Sequence, residues 1–131
     1  MKTITVRSNQ RDELIDITDE VAEAIRESDI TEGVCSLFTQ HTTCGLTINE
    51  NSDPDVKHDI LLFLRNLIPQ NYPGFRHFEH NSDSHIKASL LGSSVTIPFS
   101  EGRLLLGTWQ AIYLCEFDGP RKRKVIVKVS S

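Results

Sequence analysis

The chain lacks the features that mark secreted, membrane-spanning or nucleic-acid-coating proteins. Its 131 residues hold only three cysteines, Cys35, Cys44 and Cys115, an odd number with no CxxC spacing. They sit beside apolar residues in strand-like runs, so they read as reduced core residues and not as a disulfide framework. No apolar run is long enough to cross a bilayer, and the opening MKTITVRSNQ has no apolar block of a signal peptide. The expected compartment is the cytoplasm, with no membrane partner. Positive charge is not in excess: 14 Lys and Arg against 18 Asp and Glu give a net charge of −4. Nucleic-acid affinity usually rests on a basic field, so no nucleic-acid partner is expected. No GxxxxGK[ST] loop occurs either. Any phosphate must therefore be held by dispersed side chains.

What is present is the length of one domain, 38% hydrophobic and 24% charged, enough to bury a core. Lys2 to Arg7 alternates like a half-buried strand, and a short run around Leu14 adds a second. In ITDEVAEAIRES, Thr18 is the expected N-cap, Asp19 and Glu20 suit the positive end of the helix dipole, and Val21, Ala22, Ala24 and Ile25 form the apolar stripe. Val34 to Thr39, and the alternation around Leu46 and Ile48, read as strands. In the second helix Asp53 caps, Pro54 takes the first position and Pro69 stops the run. Val56, Ile60, Phe63, Leu64 and Leu67 share one face there, and Leu62 points outward, free to touch another subunit. From Pro69 to about Ser89 the sequence reads as an irregular polar loop of roughly 20 residues, a length more often functional than idle. Strands are expected at Ser94–Phe99, Arg103–Thr108, Gln110–Asp118 and Arg121–Val129. The fold class is α+β: a largely antiparallel, sandwich-like sheet with two main helices in one domain, 1–131.

The polar residues fall into groups. His41 follows a strand and precedes Thr42 and Thr43; it reads either as a hydrogen-bonded structural residue or as a ligand. FEHNSDSHIKASLLG carries His80, Asp83, His85 and Lys87, either a solvated loop or one that folds around an ion or anion. His58 and His77 read as surface residues. In NENSDPD, capping accounts for Asp53 but not for Glu50, which can serve as ligand, base or orienter. Gln110 and Glu116 share a strand face with Ile112 and Leu114, where polar groups need partners or a ligand. RKRK, Arg121 to Lys124, reads as a charged edge strand or as a phosphate holder.

HTTCGLTINENSDPDV, followed by HNSDSHIKASLLGSSVTIPFSEGRLLLGTWQAIYLCEFDGPRKRKV, resembles the YjbQ-like family, small proteins labelled secondary thiamine-phosphate synthase. The resemblance implies an α+β sandwich assembled as a homotrimer, with the polar motifs near subunit boundaries. The reaction it implies joins an aminopyrimidine-methyl diphosphate to a thiazole phosphate with loss of pyrophosphate, a transferase step of thiamine biosynthesis. Catalytic roles then fall to His41, Glu50, His85 and Glu116. Substrate contacts fall to Thr42, Thr43, Asn49, Lys87, Gln110, Arg121 and Arg123. A divalent metal would be held by His41, His80, Asp83 and His85. Histidine ligands favour zinc, whereas pyrophosphate chemistry favours magnesium on oxygen ligands, so the identity stays open. Two other functions use the same residues: a metal-assisted hydrolase of small phosphorylated metabolites, and a non-catalytic trimer that binds an anion or metabolite.

Overall fold

Alternating apolar residues produce the strands, and the computed structural model describes the whole chain, Met1–Ser131. In order, the elements are β1 (Lys2–Arg7), β2 (Glu13–Asp16), α1 (Thr18–Ser28), β3 (Gly33–Phe38), β4 (Cys44–Glu50), α2 (Pro54–Leu67) and α3 (Ser82–Leu91). They continue with β5 (Ser94–Ser100), β6 (Arg103–Leu104), β7 (Gln110–Glu116) and β8 (Lys122–Ser130). One sheet runs β1-β8-β3-β5-β6 and a second runs β2-β7-β4, with every pairing antiparallel. The expected α+β sandwich is the observed fold.

Strand β7 is the middle of the molecule. Its Ile112 and Leu114 join Leu46, Leu37, Phe99, Val125 and the α1 residues Val21 and Ile25 in the larger core cluster. Its alternate residues, Ala111, Tyr113 and Cys115, face the other way and pack with Leu14, Phe117 and Ala88. Ile60, Leu61 and Leu64 of α2 and Leu91 of α3 cover this second cluster. A strand buried on both faces explains why QAIYLCE reads as nearly continuous apolar sequence. Each large apolar side chain so buried stabilises the fold by about 1.5–3 kcal/mol. All three cysteines are buried and free.

Several local expectations are corrected. The cap of α1 is Ile17, not Thr18, and the capping work is done by Asp16, whose carboxylate accepts from Thr18 N at 2.9 Å and Thr18 Oγ1 at 2.6 Å. Helix α2 starts as expected, with Asp53 accepting from Asp55 N, but its apolar stripe is not buried. Phe63 and Leu67 are exposed, and the packing face is Ile60, Leu61 and Leu64. The expected loop up to Ser89 ends early, because Ser82–Leu91 is helical. The reason is an inverted pattern: α3 buries Asp83, Ser84, Lys87 and Ala88, so apolar periodicity cannot reveal it. The strand expected over Arg103–Thr108 is confined to Arg103–Leu104. Finally, β8 lies between β1 and β3, but β3 pairs only with Ile126–Ser130, so Lys122–Lys124 has β1 on one side and no strand on the other, a local edge as expected.

The turn from β7 to β8 contains Gly119 and a cis Gly119–Pro120 bond. Gly119 N donates to Arg11 O at 2.9 Å, which pulls the turn against the β1–β2 connection. A Cβ there would collide with Gln10 O and lie 2.6 Å from Ser8 Oγ. Gly119→Ala is expected to destabilise the chain by about 1–3 kcal/mol, the range for overpacking. Urea denaturation measures it, and an unchanged midpoint would mean this corner is free to move.

Candidate functional site

The site is built where β7, β8, the 39–43 segment and α3 meet. Cys44 of β4 pairs with Glu116 of β7, so the residues just before β4 lie beside the end of β7. Alternation along β8 sends Lys122 and Lys124 outward and Arg123 inward. Arg123 donates from Nε to Glu116 Oε1 at 2.9 Å and from Nη2 to Glu116 Oε2. The same Nη2 donates to Thr43 Oγ1 at 2.8 Å. Glu116 also accepts from Ser8 Oγ at 2.7 Å, Phe117 N at 3.1 Å and Asp118 N at 3.0 Å. Burial works to raise the Glu116 carboxyl, but Arg123 and the other donors outweigh it and hold it below the usual value.

A second buried carboxylate lies on α3. Asp83 is fully buried; its Oδ1 and Oδ2 accept from Arg11 at 3.0 Å each, and Oδ2 also accepts from Lys87 Nζ at 2.9 Å. Burial pushes its pKa up, but these cations prevail and the net displacement is downward. Lys87 is itself buried, 6.0 Å from the centroid of the Phe117 ring. The ammonium therefore works beneath the surface. Charges in this group sum to 2 − 1 = +1, from Arg11, Lys87 and Asp83.

His41 is the most informative side chain. Its Nε2 accepts from Lys124 N at 3.0 Å. A nitrogen accepting a backbone N–H carries no proton, so the neutral ring holds its proton on Nδ1. Burial and then the Arg123 charge lower its pKa; Glu116 pulls the other way, and Arg121 and Lys124 add smaller downward pushes. His41 thus presents a donor, not a lone pair. It shares a cleft of about 450 Å³ with Thr42, His77, Asn81, His85, Arg121 and Arg123. Arg121 is tied to Asp118, with Nε donating to its backbone O and Nη2 to Oδ2, both at 2.8 Å. Asn81 Nδ2 also donates to Asp118 Oδ2 at 2.8 Å, which orients the amide. Asn81 Oδ1 is buried with no hydrogen-bond partner, an acceptor of the kind normally met by water or a ligand.

The structure brings His41, Thr42, Thr43, His85, Arg121 and Arg123 around this cleft. Glu116, Asp83 and Lys87 do not line it: the two carboxylates are met by several donors each, and Lys87 donates to Asp83. His80 is exposed in a left-handed turn at φ 58°, and its carbonyl accepts from Gln70. Asn49, Glu50 and Gln110 are elsewhere. Glu50 pairs with Gln110 at the opposite end of the β4–β7 ladder from Cys44 and Glu116, 116 − 110 = 6 residues away, or about 20 Å. Gln110 Oε1 accepts from Gly107 N at 2.8 Å and closes a turn. His77, read from sequence as a surface residue, lines the cleft and edges onto His85, with centroids 5.5 Å apart. Arg11 and Ser8 were not singled out; the carboxylates they satisfy were the only clue to them.

The expected metal ligands do not form a site within one chain. Asp83 has both oxygens committed to Arg11 and Lys87, His41 offers a proton, and no group of three or more His, Cys, Asp or Glu is placed to hold an ion.

Residues 2–131 match the family described as UPF0047 protein, YjbQ-like. A UPF0047 protein of Methanocaldococcus jannaschii is 53% identical over 124 residues, covering 95% of this chain and 89% of that one. The UPF0047 protein YugU of Bacillus subtilis is 46% identical over 129 residues and 98% of each chain. A crystal structure of a YjbQ/UPF0047 protein from Clostridium acetobutylicum superposes with a TM-score of 0.96 at 48% identity, covering 99% of this chain and 100% of that one. A protein of unknown function from Sulfolobus solfataricus, at 34% identity, gives 0.91 over 98% and 94%.

Two outcomes follow from the geometry. Glu116→Gln keeps the shape but strands the buried Arg123 charge, so stability at pH 7 is expected to fall by about 3–5 kcal/mol. Because the folded pKa of Glu116 is depressed, its contribution is complete above the unfolded value near 4.3 and is lost as pH falls through the folded one. The gap between wild type and variant in urea denaturation should therefore close on acidification. A gap that stays constant down to acid pH would remove the charge argument. For His41, ¹⁵N shifts should report the Nδ1–H tautomer with a titration midpoint below the ordinary 6.5 or so. A midpoint above that value would contradict the assignment.

Proposed function

The chain belongs to the YjbQ-like UPF0047 family, and on that premise we propose that it is a small-molecule enzyme whose cleft takes the anionic end of a phosphorylated metabolite. The observation that carries this reading is the tautomer of His41. With Nε2 accepting Lys124 N, the neutral ring carries its proton on Nδ1, and His41 lines a cleft together with Arg121 and Arg123. Donors of this kind suit phosphate oxygens.

Within that class the reading extends to the coupling of an aminopyrimidine-methyl diphosphate with a thiazole phosphate. The thiazole nitrogen lone pair forms a bond to the methylene carbon as the carbon–oxygen bond breaks, and pyrophosphate departs with that electron pair. The attacking nitrogen has no proton to lose, so the step needs no general base. This agrees with a site whose buried carboxylates, Asp83 and Glu116, are already neutralised. What the step needs is stabilisation of negative charge on the leaving group, a role assigned here to His41, Arg121 and Arg123. Lys87 and Arg11 add positive potential from beneath. No step is routed through a metal ion.

The same saturation of the carboxylates also favours a second reading, an anion-binding protein without turnover. Homotrimeric assembly belongs to the proposal as well, supported by the exposed Phe63 and Leu67 on α2 and by exposed Trp109. Cytoplasmic placement is part of it too, supported by the free, buried cysteines.

Calorimetric titration with inorganic pyrophosphate tests the core of the reading. Arg121 is exposed, so Arg121→Ala should fold normally and bind pyrophosphate about tenfold to a hundredfold more weakly, the loss of a charge-assisted contact. Equal affinity in the variant would sink the proposed cleft. Product formation from both half-substrates, lost in His41→Ala, supports the transferase; tight binding with no product leaves the non-catalytic reading standing.

A further inference from the structure

A second cavity adjoins the cleft. It has a volume of about 470 Å³ and is lined by Phe75, His77, Ser82, His85 and Ile86. His77 and His85 line both spaces. Their rings meet edge to face, at 84° with centroids 5.5 Å apart, so they form the shared wall. Beyond that wall the surroundings change character. The cleft is walled by guanidinium, imidazole, amide, hydroxyl and carboxylate groups, the carboxylates being Glu79 and the Arg121-bound Asp118, and has no apolar lining residue, whereas the neighbouring space is bounded by the Phe75 ring and the Ile86 side chain. Phe75 is half-buried and meets the Tyr72 ring at a tilt of 40°, with centroids 5.5 Å apart.

We infer that this second cavity seats the aromatic ring of the ligand whose anionic group occupies the cleft. The inference rests on the anion reading above and adds where the ring of such a ligand sits: the flat, largely apolar ring that a short linker joins to the phosphate ester or diphosphate in the cleft. Aromatic side chains receive such a ring by offset or edge-to-face packing, with centroids 4.5–7 Å apart. An anion alone leaves the Phe75–Ile86 surface wet, and an uncharged ring alone leaves the cleft donors unmet. A ligand carrying both satisfies the two spaces at once, and the His77–His85 wall sets the length between them.

The test compares ethyl phosphate with 2-phenylethyl phosphate, which share anion and linker, by calorimetric titration of the full chain. The phenyl compound is expected to bind at least about tenfold more tightly. Ile86 is 39% exposed, so Ile86→Ser preserves the fold, and Phe75→Ala serves as the independent second variant. Both should erase the advantage of the phenyl compound and leave ethyl phosphate affinity unchanged. Equal affinity of the two esters in wild type overturns the ring site while leaving the anion cleft intact; so does an advantage that survives both variants. Variants that weaken both esters equally overturn it as well, since the residues would then serve the cleft itself. If neither ester binds, or if Arg121→Ala leaves ethyl phosphate affinity unchanged, the anion reading fails and this inference fails with it.

Discussion

A buried carboxylate with no access to water governs the corner of the molecule on which the cleft is built. Glu116 ends β7 and is fully buried, a placement that costs several kcal/mol unless its oxygens are met. They are met by Arg123 from β8, Ser8 beyond β1, and the backbone of Phe117 and Asp118. Arg123 passes the constraint on to Thr43, just before β4. The five-stranded and three-stranded sheets are thereby clamped at one place. The next residue along β8, Lys124, turns its N–H to His41. The tautomer that defines the cleft is thus a consequence of the clamp.

The same logic runs through α3. Asp83 could not sit on a buried helical face alone; Arg11, from the β1–β2 connection, and Lys87, one turn along the helix, accompany it. Gly119 N binding Arg11 O brings the β7–β8 turn into the same assembly. Two buried acids, each neutralised in advance, stand behind a cleft whose own lining mixes the Arg121 and Arg123 guanidiniums with the carboxylates of Glu79 and of Asp118, the latter already tied to Arg121 and Asn81. Asn81 Oδ1 is the buried acceptor there that has no partner. A ligand with only acceptor oxygens would leave that atom unmet, and a phosphate ester carrying one proton or a nearby N–H would not.

Strands and the ends of α2 were legible because their signals are local. Alternation gave β1 and β4, and the Asp53–Pro54 pair gave the start of α2. Helix α3 was illegible for a physical reason: its buried face is Asp83, Ser84, Lys87 and Ala88, a polar stripe paid for by partners distant in sequence. Arg11 gave no sign of its importance, because its partner lies 72 residues away. His77 was overlooked because neither of its neighbours, Glu79 at 3.9 Å and the His85 ring, stands at a spacing that marks a site in the sequence. Glu116 was visible as a polar residue on an apolar strand, yet sequence could not distinguish a clamp from a catalytic group. That difference depends on how many donors converge on it.

The polar residues singled out in sequence divide between the two ends of one ladder. At the far end Tyr113 donates to Glu50 O at 3.0 Å and to Asn51 Oδ1 at 2.9 Å, and Asn51 Nδ2 donates to Asp16 at 2.8 Å. Asn51 N donates to Trp109 O at 2.9 Å. These bonds explain why amides stand there: they fasten the entry to α2 onto β7 and β2. They do not explain the Trp109 ring, which is 61% exposed. A large apolar ring in water contributes nothing to the stability of a single chain, whereas burial against a second surface would release about 25 cal/mol per Å². The far end is therefore organised around an aromatic side chain that its own fold leaves largely exposed, and the near end around the Glu116–Arg123 pair and the His41 ring beside it.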